Sequence, residues 1–214
     1  METTFEKFIA AFPIVEEGHC TVDAQKLVKE IKKVFDIDIP QSLQNFWQEL
    51  GAGYFGKHDL YFFGDGRKSM ERDSLIEWNK KDFWHEIYPP QNKGGPLFFA
   101  ENSFGEQIGF RYERSKFITI IFIVDSFESF VLSDEIEDLF DKVLIDRYSL
   151  VEKERLDGVN KRLGILKKGM HYAPILSPLL GGTGNPENYH FETPNVHFRT
   201  SIATYYAEIE KQKR

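Results

Sequence analysis

The chain has a single cysteine, Cys20, so no disulfide can form within it. That excludes the small disulfide-stapled scaffolds and fits a reducing compartment. Long apolar runs are lacking too. The longest, Phe117 to Val124, falls well short of the ~20 residues a bilayer-spanning helix needs and reads as a central strand buried on both faces. The opening METTFEKFIA has acids where a secretory leader has a basic region ahead of an apolar one, so no signal peptide is expected. Nor is there an excess of positive charge: Lys and Arg total 27 against 34 Asp and Glu, a net charge of -7. Such a surface repels phosphate backbones, so nucleic acid is not expected as a partner; on charge alone it suits a basic protein partner or serves solubility only, and with no apolar run of spanning length no membrane is expected. The expected location is the cytoplasm.

The motifs of chemistry are equally sparse. Gly181-Gly182-Thr183-Gly184 has no P-loop lysine after it and reads as a structural turn. His171, His190 and His197 match neither a zincin helix nor a zinc finger, and Thr193-Pro194 changes the backbone between the last two. No metal or cofactor is therefore expected, although an enzyme or small-molecule site built on these histidines is a third alternative. Cys20 has no nucleophile motif around it and reads as an inert thiol. Asp36 and Asp38 read as a solvated linker. No serine triad or catalytic carboxylate pair can be assigned, so the chain is not expected to be an enzyme.

What the chain has in quantity is aromatic surface, 15% of residues with 20 Phe, which must be buried or used in contacts. The most informative stretch runs from Pro96 to Phe130. Strand-like runs at Leu97 to Ala100, Gln107 to Tyr112 and Phe117 to Val124 are joined by short polar connections, an antiparallel meander. Phe130 to Leu132 adds a short strand, and Leu60 to Phe63 another, behind the glycine-rich turn Gly51, Gly53 and Gly56. Helices precede the meander. Residues 2–12 place Phe5, Phe8, Ile9 and Phe12 on one face; Thr21 caps a second helix to about Phe35 with Leu27, Val28, Ile31, Val34 and Phe35 at helical spacing. A third carries Leu43, Phe46, Trp47 and Leu50 and ends at Gly51. Leu75 to Trp84 reads as helical, and Trp47, Trp78 and Trp84 as core or semi-buried. Ser133 caps a helix with Ile136, Leu139, Phe140 and Val143 buried, and Thr193 with Pro194 opens the last helix. Helices, then an antiparallel sheet, then helices is an α+β pattern. The expected organisation is an α+β domain over residues 1–146 with a C-terminal helical extension, residues 147–214, packed on it.

Two sets of residues resemble known families. Ile39-Pro40, Leu43, Phe46-Trp47 and Leu50-Gly51-Ala52-Gly53-Tyr54 resemble the opening motif of the SUKH superfamily. Phe98-Phe99-Ala100-Glu101-Asn102-Ser103-Phe104-Gly105-Glu106-Gln107-Ile108 is similar to its second motif. Together they cover about residues 20 to 145. Leu163-Gly164, Lys168-Gly169, Tyr172-Ala173-Pro174, Leu180-Gly181-Gly182, Glu187-Asn188 and Val196-His197-Phe198 resemble the C-terminal region of the GAD-like immunity proteins, departing from it by an inserted Ser177-Pro178. Bacterial members of both groups are mostly cytosolic antitoxins, so the resemblance implies an immunity protein that binds and blocks a polymorphic or type VI-delivered toxin, a nuclease being the natural basic partner. The alternative it implies is a non-enzymatic scaffold like the eukaryotic SUKH members. The resemblance fixes no contact residues. Loop position and charge nominate Glu101, Asn102, Glu106, Asp65 and Asp125 for partner binding, although Asn102-Ser103 with Gly105 also fits plain turn chemistry.

Overall fold

The computed structural model describes residues 5–66, 72–136, 138–146 and 153–213. Three helices open it. Helix α1 (Glu6–Ala11) turns Phe8 inward; residues 2–4 of the expected first helix lie outside the described residues. Helix α2 (Ala24–Phe35) starts later than expected because Asp23, not Thr21, caps it, accepting from the Lys26 amide at 3.0 Å. A carboxylate both satisfies a free N–H and faces the positive end of the helix dipole. The helix buries Leu27, Ile31 and Phe35, while Val34 faces solvent. Helix α3 (Gln41–Leu50) begins just after Pro40, and its buried stripe is Leu43, Phe46, Trp47 and Leu50.

Gly51 ends α3 at φ 75°, where a Cβ would stand 2.2 Å from the Cys20 carbonyl oxygen. Only glycine permits both that backbone and that approach. The glycine-rich segment after it is itself a strand, β1 (Gly53–Phe55), paired with β2 (Leu60–Phe62). The helical stretch expected from Leu75 is two short helices, α4 (Leu75–Asn79) and α5 (Asp82–Ile87), the first held by a reciprocal capping box between Ser74 and Glu77. The meander follows as β3 (Leu97–Asn102), β4 (Gln107–Glu113), β5 (Lys116–Ile123) and β6 (Glu128–Ser133). All six strands form one antiparallel sheet in sequential order. Ser133 makes only a local turn with Glu135, and the segment after it winds as a π-helical turn, Leu139–Val143, running into α6 (Leu144–Asp146).

The C-terminal part is α7 (Lys153–Leu163), a two-stranded ribbon of β7 (His171–Pro174) and β8 (Tyr189–Glu192), and α8 (Pro194–Gln212), which has Thr193 and Pro194 at its start as expected. The architecture is α+β, with the sheet between N-terminal and C-terminal helices. Among the described residues no helix is long and apolar enough to cross a membrane.

Two apolar clusters hold these layers. In the larger, Phe46 stacks on Phe62 at 4.3 Å and on Phe140 at 4.6 Å, with Phe8 edge-on to all three. Trp47 is fully buried and donates its indole N–H to the Phe63 carbonyl at 3.0 Å. Phe198 of α8 joins the same cluster by packing on Trp78, Phe83 and Trp84. The smaller cluster gathers Leu156, Val159, Leu166, Tyr172 and Tyr189 from the C-terminal part around Phe104 of the turn between β3 and β4.

Candidate functional site

The turn from β3 to β4 carries most of the residues nominated for partner binding, and the structure puts them inside. Glu101 is 1% exposed, Asn102 2% and Glu106 7%. Asn102 makes the turn: its Oδ1 accepts from the amides of Phe104 (3.0 Å) and Glu106 (3.1 Å), and Gly105 follows at φ 79°. What covers the turn is the chain's own C-terminal part. The Tyr172 amide donates to the Ser103 carbonyl at 2.9 Å. Arg155 of α7 stacks its guanidinium over the Phe104 ring at 3.9 Å and donates to Glu106 at 3.2 Å. These three positions therefore do not form an exposed edge. Burial pushes the Glu106 carboxyl up, against the pull of Arg155.

Beneath the turn lies a chain of polar contacts that sequence spacing did not reveal. Arg72 is stacked over Tyr61 at 4.5 Å and donates to Glu101. His171 of β7 meets Glu101 through Nε2 at 2.8 Å, and its Nδ1 lies 3.2 Å from Nδ1 of His197 on α8. Nε2 of His197 meets Asp125, in the β5–β6 connection, at 2.9 Å, and Ser201 donates to the same carboxylate at 3.3 Å. Gln107 donates to Glu101 at 2.8 Å and accepts the indole N–H of Trp78 at 2.7 Å.

The electrostatics follow from burial and pairing. Burial alone would raise the Glu101 carboxyl, but Arg72 and then His171 outweigh it and hold Glu101 down at about 2. Burial lowers His171 to about 4 although Glu101 pulls the other way. A neutral His171 that donates from Nε2 to Glu101 must accept at Nδ1. His197 is then the donor between the rings and also faces the Asp125 carboxylate. The result is a clamp in which β7 and α8 are fastened to the sheet by charge-assisted bonds.

The other residues singled out by sequence fall elsewhere. Asp65 is half-buried in the connection after β2, and Asp125 is half-buried at the end of the clamp. His190 is exposed and apart from the other two histidines. Among the described residues no group of three or more His, Cys, Asp or Glu is placed to hold a metal ion. Cys20 is buried and forms no disulfide. Asp36 and Asp38 are exposed and share Lys32, at 3.6 and 3.0 Å. The Gly181–Gly184 loop is pinned by Asn188, which donates to the carbonyls of Leu176 and Thr183, each at 2.9 Å.

A sheet of this order, with its paired helices and the aromatic-glycine motif at α3–β1, defines the class. The SMI1-KNR4 cell-wall family model of the SUKH group matches residues 25–142. The chain belongs to that family. Among solved structures it is similar to the crystal structure of Atu4351 from Agrobacterium tumefaciens, at 18% identity and a TM-score of 0.58, over 95% of this chain and 88% of that one. This likeness of fold runs beyond residue 142 and takes in the C-terminal part. Among curated proteins none matches. The family model ends before residues 163–206, so the similarity of that segment to GAD-like proteins stands on its sequence motifs alone.

Proposed function

We propose that the chain is an immunity protein, which binds a toxin domain in the cytoplasm of the cell that makes it and blocks that domain by covering it, with no chemistry of its own. The observation that carries this reading is membership of the SUKH family over residues 25–142. The charge balance supports it: a net -7 favours a basic partner, and a nuclease delivered by a type VI or similar system is such a partner. The clamp supports the absence of chemistry in its own region, because its strongest acid–base groups, Glu101 and His171, are enclosed and spent on each other. Its role is to give the C-terminal part a fixed position on the sheet, so that both present one preorganised surface. Of the nominated contacts, Asp65 and Asp125 keep partial exposure and remain in the proposal.

The test is copurification of the full chain with the toxin domain encoded beside its gene. A stable complex is expected. A neighbouring toxin that neither binds nor is neutralised contradicts the reading.

A further inference from the structure

The two edges of the six-stranded sheet are treated differently. The outer edge of β1 is sealed by the chain itself. Cys20 and Ala52 exchange two main-chain bonds of 2.9 Å, the Val15 amide donates to the Tyr54 carbonyl at 3.0 Å, and the Gly56 amide donates to the Pro13 carbonyl at 2.8 Å. At the other edge β6 pairs with β5 on one side. Among the described residues no main-chain bond reaches Glu128–Val131 from the other. Alternate N–H and C=O groups of an antiparallel edge strand point away from the sheet and are open to another chain.

The side chains of β6 are unusual for a strand left open. Phe130 is 52% and Val131 48% exposed, and they project to opposite faces. The strand has no Lys or Pro, the residues that commonly discourage edge pairing. The stretch of chain around it carries charge of one sign; Lys142, just beyond it and near Glu135, is paired with Asp138 at 2.9 Å. From Phe117 to Asp141 the sequence holds seven Asp and Glu and no Lys or Arg. Among the described residues no cation lies within ion-pair distance of Glu128, Asp134 or Glu135.

We infer that β6 is the docking strand for a basic, extended segment of the partner protein, which adds to the sheet as a seventh strand. This rests on the reading of the chain as an immunity protein and names the surface it uses. Main-chain bonds to the open edge supply register, Phe130 and Val131 take alternate apolar side chains on the two faces, and Glu128, Asp134 and Glu135 meet Lys or Arg. A second copy of this chain does not fit. Antiparallel pairing of two β6 strands brings Glu128 of one copy towards Asp134 and Glu135 of the other, like charge on like.

The experiment uses the full chain and the toxin domain encoded beside its gene. Amide hydrogen exchange of residues 128–133 is measured with and without the toxin, and toxin affinity is compared between the wild type and the Phe130→Lys/Val131→Lys double variant. Both substitutions are at exposed positions, and thermal unfolding checks that the fold is kept. Slower exchange at β6 in the complex, with affinity weakened about tenfold or more, supports the inference. If the wild type binds with β6 exchange unchanged and the variant binds equally well, the docking strand is wrong while the immunity reading stands. If the wild type neither binds nor neutralises the toxin, that reading falls and takes this one with it. A dimer of the chain alone that the double variant dissociates would give the edge to a second copy and overturn the proposal.

Discussion

Nε2 of His171 lies 2.8 Å from the Glu101 carboxylate, two residues 70 positions apart joined in a region closed to solvent. With Arg72 on the same carboxylate oxygen and Gln107 on the other, this pair ties the C-terminal ribbon to the strand that starts the meander. Much of the molecule's expected behaviour follows from it.

Glu101→Gln removes the charge that faces Arg72 and leaves a guanidinium buried without its counter-ion. Breaking one side of a buried pair costs about 3–5 kcal/mol. Urea unfolding of the variant is expected to show a loss of that order. A loss below about 1 kcal/mol would place the pair with exposed ion pairs, which contribute little.

Acid should loosen the protein before it reaches the ordinary carboxylate range. Both groups are depressed in the folded state, Glu101 to about 2 from 4.5 and His171 to about 4 from 6.5. The folded chain therefore binds fewer protons than the unfolded chain in both windows, and each group's contribution is present above its unfolded value and lost as pH falls. The His171 contribution fades from about 6.5 towards 4, that of Glu101 from about 4.5 towards 2. Glu106, raised by burial, acts in the opposite sense as pH rises above 4.5. Urea midpoints between pH 7 and pH 4.5 should fall for the wild type, and the fall should be shallower in His171→Asn. Equal slopes in the two proteins would remove His171 from the account.

Gly105→Ala tests how tightly the turn fits its cover. Gly105 sits at φ 79°, and a Cβ there would stand 2.5 Å from Nδ1 of His171 and 3.2 Å from Nδ1 of His197. Neither the backbone nor the space suits a side chain. The variant is expected to lose at least about 1–3 kcal/mol and to exchange the amides of β7 faster than those of β5. Uniformly faster exchange would show that the C-terminal part has no separate hold at this turn.

Phe46→Ala empties the centre of the larger cluster, where Phe46 stacks on both Phe62 and Phe140. A loss of about 3–5 kcal/mol in chemical denaturation is expected.

The sheet was legible because its signals are local. Alternating apolar runs separated by Asn-Ser-Phe-Gly and Glu-Arg-Ser-Lys connections mark a meander, and α3 ends at its glycine as helical period and capping require. β1 was missed because three glycines in six residues read as a turn, whereas Gly51 and Gly53 are there to let the Gly18–Cys20 backbone approach. The clamp was not legible at all. Arg72, Glu101, Asp125, His171 and His197 come from separate elements, and no spacing rule joins them. One signal was available: Phe104 stands in the middle of an otherwise polar turn, and an aromatic there needs a cover. That cover is the C-terminal part, which is why Glu101, Asn102 and Glu106 face inward rather than towards a partner.

The central claim, that this chain neutralises a toxin by binding it, is tested most directly by survival of cells expressing the toxin domain encoded beside its gene, with and without this protein. The account predicts growth restored by the full chain and restored less by the Phe130→Lys/Val131→Lys variant at equal protein level. Cells that die equally with and without the wild-type protein, under a toxin that is active and a chain that is folded, would contradict it.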